Sequence, residues 1–309
     1  MSPLLFQIDA APGLCAGLAR RLGAETGLVE LRHFPDGESY VRFGTPVAQR
    51  DVILLCTLDR PDPKLAPLLF AACAARRQGA SSVGLAAPYL AYMRQDKAFR
   101  AGEAVTSEIF AKLVSGAVDW LVTLDPHLHR YPALDSIYET PALAATATEA
   151  IGRWIADNVE RPLIVGPDQE SRAWAERIAR HSGGKAVILS KRRSGDRSVR
   201  IDDRGLEPIE GATPVLVDDI ASTAQTLIEA IRLITGKGGH APVCAVVHAI
   251  FAEDSYQSLL ALGVERVVST NTVAHVSNAI DIAAPLADAI SRSVSEARTA
   301  KSGQCGEAQ

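Results

Sequence analysis

The sequence has no long apolar run, no paired cysteines and no large surplus of charge of either sign, and each absence removes a class of protein. No stretch approaches the roughly 18–20 apolar residues that cross a bilayer. The opening MSPLLFQIDAAPG lacks the basic segment of a secretory signal, so a cytoplasmic location and no membrane partner are expected. Lys and Arg number 32 against 36 Asp and Glu, a net charge of −4. That balance speaks against a surface for DNA, which needs clustered positive charge; no nucleic-acid partner is expected, although local basic clusters can hold small phosphorylated ligands. The five cysteines (Cys15, Cys56, Cys73, Cys244, Cys305) form no C-x-x-C pair and sit mostly in apolar runs, the pattern of buried free thiols in a reducing compartment. With 309 residues, 47% of them hydrophobic, disorder, collagen and disulfide scaffolds are excluded. At roughly 150 residues per domain the length predicts about two domains.

What is present is alternation. Short runs rich in Val, Ile and Leu are each followed by a segment of helical period: DVILLC then LAPLLFAACAARRQ, SVGLAAP then VTSEIFAKLVSG, PLIVGPD then SRAWAERIARH, and PVLVDD then TAQTLIEAIRLI. Continuous apolar strands between helices imply parallel sheets covered on both faces, an α/β fold. Ligands of such sheets bind beyond the carboxyl ends of the strands, which directs attention to Pro88-Tyr89, Asp125-Pro126-His127, Gly166-Pro167-Asp168, Lys191-Arg192-Arg193 and Asp218-Asp219. The pattern occurs twice, and PALDSIYETPALAATATEAIGRWIADN reads as a crossing helix without a strand. The boundary is therefore set near Thr140, giving domains over 1–140 and 141–298 and a disordered tail over 299–309. In LVELRHFPDGESYVRF, two extended segments flank the turn residues Pro35-Asp36-Gly37, which predicts a β-hairpin projecting from the first sheet.

The strongest local signal is VLVDDIASTAQTL, residues 215–227: an apolar strand, two adjacent carboxylates and a hydroxyl-rich turn opening a helix. A helix N-terminus offers unpaired N–H groups and partial positive charge, so Ser222, Thr223 and Thr226 can form an anion cradle. A simple helix cap would explain the hydroxyls. It would not explain Asp218 and Asp219, which repel one another unless ribose hydroxyls or Mg²⁺ sit on them. PYLAYMRQDKAFRAGEAVTS sets Arg94, Lys97 and Arg100 among aromatic residues, as a basic loop over a polyphosphate would. In Asp125-Pro126-His127-Leu128-His129 the H-x-H spacing aligns two imidazoles, as zinc amidohydrolases do. His181, His240, His248 and His275 lack partner carboxylates at ligand spacing, which makes zinc the poorer reading.

The order strand, Asp-Asp, variable residues, Thr-x-x-Thr resembles the phosphoribosyl-diphosphate loop of type I phosphoribosyltransferases. Phe34-Pro35-Asp36-Gly37-Glu38, the run Pro88 to Lys97, Asp125-Pro126-His127, Gly166-Pro167-Asp168 and Lys191-Arg192-Arg193 extend that resemblance, in order, to the ribose-phosphate pyrophosphokinases. FRAGEAVTS resembles their archaeal-type branch. The resemblance implies two similar parallel-sheet domains of the type I phosphoribosyltransferase kind and Mg²⁺-dependent transfer of diphosphate from ATP to ribose 5-phosphate. It implies that Phe34, Asp36, Gly37, Glu38, Arg94, Gln95, Asp96 and Lys97 bind ATP and that His127 and Asp168 hold Mg²⁺. Lys191 and Arg193 become the catalytic cations. Arg193, Asp218, Asp219, Ser222, Thr223, Ala224, Gln225 and Thr226 become the ribose 5-phosphate site. A homo-oligomer built from dimers, with the hairpin entering a neighbour's site, is also implied. The chain departs from the family pattern at Ala224-Gln225, where two glycines are usual, at Ser222, where the main branch has an acid, and at Gln169-Glu170-Ser171. A phosphoribosyltransferase consuming the same diphosphate and a non-catalytic regulatory homologue are the alternatives.

Overall fold

A computed structural model describes residues 2–193, 199–202, 209, 211–235, 237 and 239–306, with the side chains of 190–193, 199–202 and 302–306 outside that description. Contacts divide the chain into two units, one comprising Met1–Ala145 with Ile282–Gln309 and the other Thr146–Asp281.

The first unit is built on β1 (Leu4–Asp9), β2 (Glu25–Thr26), β5 (Asp51–Cys56), β6 (Ser82–Ala87), β7 (Trp120–Leu124) and β8 (Ala142–Ala145). These strands lie parallel in the order β2-β1-β5-β6-β7-β8. Every residue of DVILLC and SVGLAA is buried, because helices cover both faces. The helices of this unit are α1 (Leu14–Leu22), α2 (Asp62–Arg77), α3 (Thr106–Ala117) and α8 (Ala283–Gly306). The hairpin expected from Pro35-Asp36-Gly37 is formed by β3 (Val29–His33) and β4 (Ser39–Phe43), paired antiparallel between the second and third strands of the sheet. Its base packs through Val29, Val41 and Phe43 onto the core.

The second unit repeats the plan. Strands β9 (Pro162–Gly166), β10 (Lys185–Ile188), β13 (Thr213–Ala221), β14 (Val243–Ala249), β15 (Arg266–Thr270) and β16 (Asn278–Ile280) lie parallel in the order β10-β9-β13-β14-β15-β16. Its helices are α4 (Thr148–Asn158), α5 (Arg172–Ser182), α6 (Gln225–Thr235) and α7 (Ser255–Ala261). A second antiparallel pair, β11 (Ser190–Arg193) with β12 (Val199–Asp202), again stands between the second and third strands of the sheet. In each unit the strand order reverses beside the first strand, at β1/β5 and at β9/β13, the place where open α/β sheets bind ligands.

Three expectations are corrected. The segment after Tyr131 contains a strand: β8 extends the first sheet beyond β7, and α4 starts only at Thr148. The short ALAA run carries little β propensity, so pairing with β7 decides its state. Residues 282–298 were expected in the second domain, but α8 packs on the first sheet, where Arg298 Nη2 meets Asp51 Oδ2 at 2.7 Å. The tail expected to be disordered from 299 continues α8 to Gly306, and 307–309 lie outside the described residues. Cys15, Cys56 and Cys244 are buried as expected, whereas Cys73 is exposed on α2. No helix among the described residues is long and apolar enough to cross a membrane.

One contact in the first unit admits no side chain. The Trp120 ring lies across Gly84, and a Cβ there would stand 1.9 Å from Trp120 Cε2. Trp120 is 1% exposed. Gly84→Ala is therefore expected to destabilise the protein by about 3 kcal/mol, as overpacking does at its upper range, and Trp120→Leu in the same chain should restore part of the loss. Urea unfolding of the three variants measures both effects.

Candidate active site

In the first unit the hairpin tip is a tight turn. Phe34 N donates to Glu38 O at 2.8 Å and Gly37 N to Phe34 O at 2.9 Å, while Asp36 Oδ1 accepts from Glu38 N at 3.1 Å. Gly37 takes φ +92°, which suits glycine. The tip is exposed from Arg32 to Glu38. Phe34 meets Tyr40 edge to face at 6.0 Å, and the Arg32 guanidinium lies over both rings, 3.9 Å from the centroid of Tyr40 and 4.8 Å from that of Phe34. The tip thus presents an exposed aromatic and cationic surface.

The basic loop leaves the carboxyl end of β6. Tyr92 takes φ +62°, its ring packs on Phe110 at 4.9 Å, and its hydroxyl donates to Asp62 on α2. Burial and the Asp62 carboxylate push the phenol up to about 12, so it stays a donor. Gln95 is tied down as well, with Oε1 accepting from Thr106 Oγ1 at 3.1 Å and its carbonyl from Ser107 Oγ at 3.1 Å. Asp96 pairs with Arg130 at 3.3 Å, and the Tyr131 hydroxyl, 2.8 Å from Ser107 Oγ, reaches the Asp96 carbonyl. The loop after β6 is thereby joined to the loop after β7, which carries His127. Arg94 is exposed, and Lys97 Nζ lies 4.7 Å from the centre of the exposed Phe99 ring. Asp96 thus braces the loop, while Arg94 and Lys97 present its charge. His127 and His129 stack with ring centroids 3.8 Å apart. Among the described residues no group of three His, Cys, Asp or Glu stands ready to hold a metal.

In the second unit three carboxylates gather at the reversal of strand order. Asp168 follows β9, and its Oδ1 accepts from Ser171 N at 3.2 Å as the chain turns into α5. Strand β13 was expected to end at Asp218-Asp219 but runs on to Ala221. Asp218 and Asp219 consequently sit within the strand, half-buried, with Asp219 N donating to Asp218 Oδ1 at 3.0 Å. Burial first, then the charges of Asp219 and Asp168, hold the Asp218 carboxyl well above the usual carboxylate range. Ser222, Thr223 and Ala224 form the turn, and Gln225 and Thr226 open α6. Ala224 is buried at φ +55°, a conformation that costs a residue with a Cβ about 1 kcal/mol; this is where glycine was expected. Among the described residues the hydroxyls of Thr223 and Thr226 have no hydrogen-bond partner. Lys191 and Arg193 lie on β11, their backbones paired with Ile201 and Val199, and their side chains are outside the described residues.

The structure therefore gathers Asp168, Asp218 and Asp219 beside the Ser222–Thr226 turn, and it gathers Arg94, Gln95, Asp96 and Lys97 with the loop of His127. His127 belongs to the first unit and Asp168 to the second. Sequence reading missed the braces Asp62, Arg130 and Tyr131, whose partners lie far along the chain and follow no local pattern.

Comparison with known proteins agrees with this arrangement. The N-terminal domain of ribose phosphate pyrophosphokinase matches residues 4–117, and the phosphoribosyl transferase domain matches residues 133–281. A ribose-phosphate pyrophosphokinase of Methanopyrus kandleri is 34% identical over 88% of this chain and 93% of its own length. The chain belongs to the ribose-phosphate pyrophosphokinase family. Another member, from Methanobrevibacter smithii, is 29% identical over 91% of this chain and 98% of its own. Both sources are archaeal, as the FRAGEAVTS loop implied. The crystal structure of phosphoribosylpyrophosphate synthetase from Mycobacterium smegmatis superposes with a TM-score of 0.78 at 26% identity, covering 95% of this chain and 99% of that one. As a ribose-phosphate pyrophosphokinase family member, the protein shares with that structure the two-unit α/β fold.

The raised Asp218 carboxyl has a consequence for stability. Its folded pKa exceeds its unfolded value, so keeping it ionised at neutral pH costs stability, and that cost fades as pH falls through the folded pKa. Asp218→Asn removes the charge at nearly constant shape. It is expected to stabilise the ligand-free protein, seen as a higher Tm in thermal melts with EDTA, while reducing activity. An unchanged or lower Tm would contradict the crowding.

Proposed function

We infer that the protein is a ribose-phosphate diphosphokinase, which transfers the β,γ-diphosphoryl group of ATP to the anomeric hydroxyl of ribose 5-phosphate. What carries this reading is the pairing, in one chain of this family, of two like units equipped for different ligands. One bears a basic loop and an aromatic hairpin, and the other bears Asp218-Asp219 followed by the hydroxyls of Ser222, Thr223 and Thr226 at a helix N-terminus. A phosphoribosyltransferase has no use for the first set, and a regulatory homologue would have no need to keep Lys191, Arg193, His127 and Asp168.

In this scheme the adenine rests on Phe34, with Asp36, Gly37 and Glu38 at its edge, and Arg94, Gln95 and Lys97 hold the ATP phosphates. Asp218 and Asp219 accept hydrogen bonds from the ribose hydroxyls. Ser222, Thr223 and Thr226 hold the 5-phosphate through hydroxyls and the N–H groups opening α6, with Ala224 and Gln225 contributing backbone. The anomeric hydroxyl oxygen attacks the β-phosphorus, the bond from that phosphorus to the α,β-bridging oxygen breaks, AMP leaves carrying that oxygen, and the hydroxyl proton is released to solvent. Lys191 and Arg193 offset the charge on the transferring group. By the family pattern, His127 and Asp168 are the residues that would each hold Mg²⁺, with phosphate oxygens supplying most of its ligands. The negative charge of Asp168 and Asp219 that raises Asp218 is the kind that a nearby cation would offset. When bound, Mg²⁺ supplies charge neutralisation on the polyphosphate.

Incubation of the protein with Mg-ATP and ribose 5-phosphate should release AMP in step with 5-phosphoribosyl 1-diphosphate. Lys191→Ala should lower kcat by about 10²- to 10⁵-fold; unchanged turnover would remove it from the mechanism.

The exposed tip, with Phe34 at 41% exposure, supports a homo-oligomer built from dimers in which the hairpin serves a neighbour's site. Mixing the inactive variants Glu38→Ala and Lys191→Ala with subunit exchange should regain part of the activity. Proven exchange without recovery, or a fully active monomer, would rule out the shared site.

A further inference from the structure

The turn between β13 and α6 is held from behind. The carbonyl oxygen of Ser222 accepts two hydrogen bonds, from Ser255 Oγ at 2.7 Å and from Ala252 N at 3.1 Å. Ser255 is 8% exposed, and its own N–H donates to Ala252 O at 3.0 Å, closing the donor segment on itself. Rings brace that segment: Phe251 packs on Tyr256 at 5.3 Å and on His275 at 4.9 Å, and Tyr256 meets His275 at 4.8 Å. Burial lowers the His275 pKa, which keeps the ring neutral and the cluster uncharged near pH 7.

Two donors on one carbonyl fix the plane of the peptide that follows. In a trans peptide the C=O and the next N–H point in opposite directions, and no peptide bond among the described residues is cis. Because the Ser222 carbonyl is aimed at the 252–255 segment, the Thr223 N–H is aimed away from it, on the side where Thr223 is exposed. That N–H has no acceptor among the described residues. Ala224, at φ +55°, then turns the chain into α6, whose first N–H groups are free of helical partners.

We propose that Ser255 is a positioning residue for ribose 5-phosphate, fixing the Ser222–Thr223 peptide so that the Thr223 N–H is presented to the 5-phosphate. The inference rests on the reading above that this turn takes the sugar phosphate. Ser255 touches no substrate; it removes the freedom of the peptide to rotate its donor away. Losing one of two hydrogen bonds on a carbonyl should be felt as weaker binding of one substrate only.

The test compares wild type, Ser255→Ala and Ser255→Thr. In the alanine variant, KM for ribose 5-phosphate should rise about 3- to 10-fold, the span of one net hydrogen bond, with KM for Mg-ATP and kcat within twofold of wild type. Calorimetric titration with ribose 5-phosphate alone should show the same loss, and the threonine variant, which keeps the hydroxyl, should recover most of it. Equal ribose 5-phosphate affinity in Ser255→Ala, or a loss shared by both substrates, would overturn the proposal. Should the alanine variant fail to fold, ribose 5-phosphate titrated into wild type should move the Thr223 amide proton downfield by NMR, and a stationary resonance would overturn it equally. A wild-type protein that does not bind ribose 5-phosphate at all would instead sink the reading of the site beneath it, an outcome the first titration separates.

Discussion

Negative charge forced together at the carboxyl ends of β9 and β13 is the constraint around which the second unit is arranged. Asp168, Asp218 and Asp219 cannot all be comfortable there as anions, and Asp218 shows the discomfort in its raised pKa. A protein selected only for stability would not keep such a cluster. The turn beyond it, Ser222 to Thr226, sets hydroxyls and the opening N–H groups of α6 beside that charge. The left-handed Ala224 and the double bond onto the Ser222 carbonyl are costs and supports of that same turn.

The first unit shows what the same place becomes when it is not used this way. At the ends of β1 and β5, the positions corresponding to β9 and β13, Lys64 of α2 pairs with Asp9, reaches Asp59 at 2.6 Å and donates to the Thr57 carbonyl at 2.9 Å. Burial would lower the Lys64 pKa, but hydrogen bonds and charges from Asp59 and Asp9 more than offset it and leave it raised. The carboxylates here are satisfied by the chain itself, so the crevice carries its own counter-ion. Asp62, one step along the same turn, is redirected to Tyr92 and braces the basic loop instead. One architecture thus carries an acidic cluster beside a hydroxyl-rich turn in one unit and a foundation for a neighbouring loop in the other.

Much of this was legible in the sequence because the relevant signals are local. Fully apolar strands, the Pro-Asp-Gly turn and the acid-then-hydroxyl order each state their structure within about ten residues. The alternation placed the ends of β6, β7 and β9, whereas Lys191-Arg192-Arg193 proved to lie within β11 and β13 ran two residues past its acidic pair because pairing with β14 continues through Ala221. What escaped depends on distant partners. The four residues of β8 become a strand only by lying beside β7, and α8 belongs to the first unit because of what it packs on, including Asp51, 247 positions away. The Asp96–Arg130 pair and the Ser255 hydroxyl on Ser222 are likewise contacts between segments whose sequences do not advertise one another.

The return of α8 to the first sheet makes the second unit an insertion within the first. A ribosome delivers chains from the amino end, and domains generally fold as they emerge. Residues 146–281 can complete their own sheet while still tethered, whereas the sheet synthesised earlier must wait for the last helix before the surface around Trp120 and Asp51 is covered. The half of the protein that is made first is therefore the half that is finished last.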